Sequence, residues 1–139
     1  MESSRSDALF RDPLAPGLAG ERGLRIARTR PDGAWVVAIR TVLIDAFIRS
    51  AISSGIDTVI NLGAGMDTRP YRMHLPPSLH WVEVDHPSLI ESKNAQLSTE
   101  VPACPIERVG LDLGDRDARR ELFGRIWTTS TWAMVLTEG

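Results

Sequence analysis

What this chain has little of narrows the field first. It holds one cysteine, Cys104, so no internal disulfide forms, and no second thiol stands near it to make half of a zinc site. Cys104 reads as an inert thiol. Neither sign of charge dominates: 16 Lys plus Arg face 18 Asp plus Glu, for a formal net charge of −2. The basic residues do not cluster, which removes the electrostatic footprint of a nucleic-acid binder. No long hydrophobic run occurs, and no charged, apolar, small-residue series opens the chain, so neither a membrane span nor a secretory signal is read. These absences point to a soluble, intracellular protein, with a cytoplasmic location expected and no membrane partner.

What is present suits one domain. The 139 residues are 42% apolar, about half once glycine is counted, which is enough for a packed core and too much for a disordered chain. Residues 1–34 are rich in Arg, Ser, Pro and Gly, as in RDPLAPGLAGERG from Arg11 to Gly23, and show no sustained apolar period. They read as an N-terminal arm, extended or in short helical pieces. Residues 35–139 read as the domain proper.

From Trp35 to Ser53 apolar residues recur near helical spacing, and Ser53-Ser54-Gly55 reads as the stop. Thr58 to Leu62 is a short β-branched run suited to a strand buried on both faces, ending on Gly63-Ala64-Gly65. Leu79 to Asp85 is a second strand, followed by Pro87 in the first turn of a helix that continues from Leu89 to Leu97. Ile106 to Leu113 is a third strand candidate, and Asp115 caps a helix whose Ala118, Leu122, Phe123 and Ile126 face one way. Trp132 to Leu136 is a fourth apolar run before Thr137-Glu138-Gly139. Strands alternating with helices in this way imply an α/β fold with a parallel sheet. Ligands bind such sheets beyond the carboxyl ends of the strands, here Gly63 to Gly65, Asp85, Asp112 and Glu138. The same acids would also serve as loop starters and helix caps.

Gly63 and Gly65 flank a strand-to-helix turn, where missing side chains admit a ligand to the backbone and a helix amino terminus offers N–H groups. The dinucleotide fingerprint needs a third glycine three residues after the second, and that position is Thr68. No Gly-Lys-Ser/Thr ending is present, so a triphosphate cradle is not supported either. Asp85 follows Gly65 by twenty residues and suits a ribose diol. An adenosine ligand without a pyrophosphate meets both conditions. His74, His80 and His86 stand apart without an i, i+4 pair, so no metal site is expected. Trp35, Trp81, Trp127 and Trp132 are read mostly as core.

The run Asn61-Leu62-Gly63-Ala64-Gly65-Met66-Asp67-Thr68-Arg69, with Tyr71-Arg72 and Trp81-Val82-Glu83-Val84-Asp85 after it, resembles the leucine carboxyl methyltransferase family of S-adenosylmethionine-dependent O-methyltransferases, polyketide-tailoring members included. Arg40-Thr41, Ile44-Asp45, Leu111-Asp112-Leu113 and Thr137-Glu138-Gly139 extend the match from about Trp35 to the last residue. The resemblance implies a Rossmann-like class I methyltransferase fold, here with about four strands and helices on both faces. It implies S-adenosyl-L-methionine as cofactor, with Arg40 on its carboxylate and Gly63, Ala64 and Gly65 under its methionine portion. Asp85 would hold the ribose, Asp112 and Leu113 would border the adenine, and Glu138 would lie near the amino group. Arg69 and Arg72 either reach the ligand or hold the loop by pairing with Asp67, the structural role being favoured for Arg72. Met66 either touches the methionine chain or packs the loop.

The implied reaction moves a methyl group to a carboxylate or hydroxyl oxygen of a small molecule, a polyketide-like acceptor or a protein. No catalytic base is nominated. Family members run about twice this length, so the resemblance also implies an incomplete form that self-associates through an open sheet edge at Trp132 to Leu136. The other readings are a non-catalytic Rossmann-like binding remnant and an NAD-dependent dehydrogenase domain.

Overall fold

Four short apolar runs build the sheet. In the computed structural model, which describes residues 2–29 and 31–138 (the side chains of 4, 22, 26–29 and 31–34 apart), they form β1 (Thr58–Leu62), β2 (His80–Asp85), β3 (Ile106–Gly110) and β4 (Ala133–Thr137). All neighbours are parallel, in the order β3-β2-β1-β4. Leu62 stands opposite both Val84 and Thr137, and Asp85 opposite Gly110, so the four carboxyl ends finish at nearly one level. The chain steps outward from β1 to β3 and then returns to the other side of β1. The switch point therefore lies between β1 and β4, where open α/β sheets leave a crevice.

Among the described residues five α-helices accompany the sheet: α1 (Ala15–Thr29), α2 (Pro31–Ser53), α3 (Arg69–Arg72), α4 (Pro87–Gln96) and α5 (Arg116–Thr129). One core joins Ile48 of α2 to Val59, Trp81 and Leu136, with Met73 and Leu75 after α3. Lys93 of α4 reaches the same face through Glu83. The opposite core packs Leu122 and Ile126 of α5 on Ile60, Val82 and Val84. Each fully buried aliphatic or aromatic side chain contributes about 1.5–3 kcal/mol, so the strand pair β1 and β2, covered on both faces, anchors the fold. The expected α/β fold with a parallel sheet and helices on both faces is what the chain forms.

Of the two forms expected of the arm, the helical one is found: Asp12 Oδ1 accepts the amides of Leu14 and Ala15, both at 3.0 Å, and caps α1, and non-helical geometry at Gly20 divides that helix into short pieces. Four expectations change. The helix expected from Trp35 begins at Pro31. No long helix follows the glycine turn; α3 has four residues, Arg69–Arg72. Three of the four tryptophans are not core: Trp35, Trp127 and Trp132 are exposed, and only Trp81 is buried. The third strand stops at Gly110, since Asp112 accepts the amide of Gly114 at 2.7 Å and its carbonyl accepts that of Asp115, so Asp112 and Leu113 belong to a turn. Gly139 of the closing motif lies outside the described residues.

Candidate functional site

The glycine turn is bent by two left-handed residues, Gly63 at φ +69° and Gly65 at φ +51°, a conformation that costs an L-residue about 1–2 kcal/mol. Its amides are already used. Those of Gly63 and Ala64 donate to the Val84 carbonyl at 2.8 and 3.2 Å, and that of Gly65 donates to Asp85 Oδ2 at 2.7 Å. Asn61 Nδ2 donates to Asp67 Oδ2 at 2.8 Å, fastening the far side of the loop to β1.

Beneath the turn lies a buried charge cluster. Arg69, 3% exposed, donates from Nε to Asp45 Oδ1 at 2.8 Å and from Nη1 to Asp67 Oδ2 and Glu138 Oε2, each at 2.8 Å. Arg72 grips Asp45 with two bonds of 2.6 and 2.9 Å, and the Phe10 ring lies 4.9 Å below its guanidinium carbon. Arg40 Nε stands 3.4 Å from Glu138 Oε1. Burial alone would raise the Asp45 carboxyl, but the bonds from Arg72 and Arg69 override it and hold the group below the usual carboxylate range. Burial opposes the Arg69 charge, yet Glu138, Asp67 and Asp45 together raise its pKa further. Arg72 pairs with Asp45 and not with Asp67, and it also lines the cavity above the cluster. Arg69 holds the loop through Asp67 and also contacts the cavity above it.

That cavity has a volume of about 370 Å³, within the range of small-molecule sites. Arg40, Gly63, Ala64 and Glu138 line it, with Met66 and the arm residues Phe10 and Asp12 on other walls. It therefore gathers four of the eight sequence-derived site residues at the switch point. The other four form a neighbouring shelf outside its lining. Gly65 is bonded to Asp85, the Asp85 carbonyl accepts Leu111 N at 2.8 Å, and Asp112 and Leu113 follow directly. Asp85 Oδ1 accepts the amide of His86 at 2.7 Å, so each Asp85 oxygen has one backbone donor and a further lone pair to offer.

Sequence reasoning gave no role to Asp45, Asp12 or Phe10. Asp45 had a signal, a carboxylate interrupting an apolar helix on its inward face, where it is 2% exposed. Asp12 and Phe10 had none, because nothing local ties the arm to Thr68 and Arg72. Cys104 is buried, and that burial pushes its thiol up to about 11, in line with an inert role. Among the described residues no helix is long and apolar enough to cross a membrane.

Comparison with known proteins bears on this geometry. The family model for leucine carboxyl methyltransferase matches residues 1–139. A Streptomyces coelicolor protein with the provisional name S-adenosyl-L-methionine-dependent methyltransferase is 38% identical, over 78% of this chain and 42% of its own length. A Frankia alni protein with the same kind of name is 35% identical, over 84% of this chain and 45% of its own. One from Mycobacteroides abscessus is 33% identical, over 83% and 44%. The chain spans less than half the length of the curated relatives it matches. It belongs to the leucine carboxyl methyltransferase family.

Proposed function

We propose that this chain carries the cofactor site of an S-adenosyl-L-methionine-dependent O-methyltransferase. The observation behind the reading is the pairing of Arg40 with Glu138 beside a glycine turn at the switch point of the sheet. The amino-acid end of that cofactor is a zwitterion. A guanidinium grips its carboxylate with parallel hydrogen bonds, and a carboxylate takes its ammonium. The turn also fits. A Cβ built on Gly63 would meet no heavy atom within 4 Å, so the backbone borders open space that a side chain would fill. The remaining lone pairs of Asp85 suit a ribose diol, and Asp112 and Leu113 are the residues for the adenine side.

When bound, the cofactor would supply an electrophilic methyl group on a cationic sulfonium for transfer to an acceptor oxygen. The chain's own task is binding and orientation, which lower the entropic part of the barrier. Arg40 and Glu138 fix one end and Asp85 the other. Among the described residues, the carboxylates lining the cavity are committed. Asp12 accepts from Thr68 and caps α1, Asp67 accepts from Asn61 and Arg69, and Glu138 accepts from Arg69. We take the acceptor to be one that arrives ionised. A carboxylate is ionised at neutral pH and needs no base, whereas a hydroxyl, on a small molecule or a polyketide-like acceptor, must lose a proton. The family description, a carboxyl methyltransferase, supports the same oxygen.

A dinucleotide is disfavoured at Thr68. Its side chain is buried and its hydroxyl donates to Asp12 Oδ2 at 2.5 Å, filling the place where the fingerprint requires glycine. Calorimetric titration with S-adenosylhomocysteine and with NADH tests the reading. One saturable site for S-adenosylhomocysteine and no heat from NADH is the expected result, with Glu138→Gln weakening the former by about tenfold or more. Heat from NADH alone would contradict it.

A further inference from the structure

Three polar side chains stand in one row across the middle of the sheet. Asn61 of β1 is in register with Glu83 of β2, and Glu83 with Arg108 of β3, so all three lie on the face that α2 covers. The two ends of the row hold the segment that crosses it. At one end Asn61 donates to Asp67 Oδ2 at 2.8 Å, and at the other Arg108 Nη2 donates to the Tyr71 hydroxyl at 2.6 Å. Between them Glu83 Oε2 accepts Arg108 Nε at 2.8 Å and lies 2.9 Å from Lys93 Nζ. Tyr71, Glu83, Lys93 and Arg108 do not line the cavity of Arg40 and Glu138.

Such a cluster is a poor way to gain stability. Glu83 and Lys93 are fully buried, both cations address the same Glu83 oxygen, and among the described residues Glu83 Oε1 and Lys93 Nζ lack a well-aligned hydrogen-bond partner. Burial outweighs the pull of Glu83 and lowers the Lys93 pKa. Apolar side chains of similar volume often serve stability as well or better than buried ions do. What the cluster supplies is direction. Nε of Arg108 is fixed on Glu83 and Nη1 on Asn94 Oδ1 at 2.9 Å, so its rigid fork presents Nη2 to Tyr71 alone.

The helix that carries Tyr71 depends on such outside support. The four residues of α3 make a single turn, too short to hold itself. On the β3 side it is fastened by the Ala103 amide, which donates to the Pro70 carbonyl at 2.8 Å, and by Arg108 on Tyr71. Arg69 is the side chain this turn aims at the site, and its Nη1 donates to Asp67 and to Glu138 at 2.8 Å each. We propose that Arg108, aimed by Glu83, is a positioning residue of the methyl-donor site, seating α3 through Tyr71 so that Arg69 holds Glu138 beside the cavity. The assignment rests on the cofactor reading above, in which Glu138 takes the ammonium of S-adenosyl-L-methionine.

Two substitutions in the full chain test it. Tyr71→Phe keeps the ring and removes only the hydroxyl, while Arg108→Lys keeps a cation beside Glu83 and loses the fork. Without ligand, hydrogen exchange of the Arg69 guanidinium, followed by nuclear magnetic resonance, is expected to quicken about threefold or more in both, with the amides of β1 unchanged. Unchanged exchange at Arg69, or an equal rise in β1, overturns the proposal. With ligand, calorimetry is expected to show S-adenosylhomocysteine weakened about threefold or more and methylthioadenosine, which has no amino-acid end, nearly unchanged. Equal losses for the two ligands, or none, also overturn it. A wild type that binds neither would contradict the cofactor reading instead, and the ligand-free exchange would still decide whether Arg108 seats Arg69.

Discussion

Asp45 shows how one side chain joins fold to site. It is buried on the inner face of α2, yet it accepts from two arginines, and through Arg69 it orients the Glu138 carboxylate beside the cavity. Removing one partner of a buried ionic group leaves the others uncompensated, at a cost of about 3–5 kcal/mol. Asp45→Ala is therefore expected to lower stability by about 3 kcal/mol or more in a denaturant titration, while a neighbouring exposed substitution such as Arg49→Ala stays within about 0.5 kcal/mol. Asp57 carries part of the pH dependence. Ser130 Oγ and the Thr131 amide donate to it and hold its carboxyl at about 2, against 3.8 ordinarily. Because the folded value is depressed, the stabilisation is complete above the ordinary value and is lost as pH falls from about 4 towards 2. Asp57→Asn should flatten the acid limb of a thermal-stability profile in that window and leave the profile near pH 7 parallel to the wild type. Asp57 is largely solvated, which keeps the effect small.

At the scale of elements, local chemistry explains which parts were readable in advance. The run Thr58 to Leu62 announced β1 by its β-branched, two-sided burial, and Pro87 announced α4 by sitting in its first turn. Asp115 announced α5, and its carboxylate does accept the amides of Asp117 and Ala118, at 3.0 and 3.1 Å. Asp115→Ala is expected to lower stability by about 1 kcal/mol, read as a shifted denaturation midpoint at constant slope. The unreadable elements depend on distant partners. The cap of α1 is Asp12, and the other oxygen of that carboxylate is held by Thr68, 56 residues away. The four residues of α3 have no period to detect, and the exposed tryptophans defeat a rule that counts aromatics as core. Of the pocket residues, Gly63, Ala64 and Glu138 were legible at strand ends, and Arg40 came from the family resemblance. The salt-bridge cluster beneath them was not legible, because Asp45, Arg69 and Glu138 meet only when β4 returns beside β1.

At the scale of the whole molecule, that return is the feature on which function rests. It brings the end of the last strand next to the turn after the first, so a cation from α2 and an anion following β4 face one cavity. The shelf formed by Asp85 and the turn after β3 extends the crevice across the carboxyl ends of the sheet. The account's central claim is that this cavity holds the zwitterionic end of S-adenosyl-L-methionine. A calorimetric cycle tests it most directly, titrating wild type and Arg40→Ala with S-adenosylhomocysteine and with methylthioadenosine, which lacks the amino-acid end. Arg40→Ala should weaken S-adenosylhomocysteine by about tenfold or more, the loss of a charge-assisted hydrogen bond, and leave methylthioadenosine nearly unchanged. Equal losses for the two ligands, or no binding of either by the folded wild type, would contradict it.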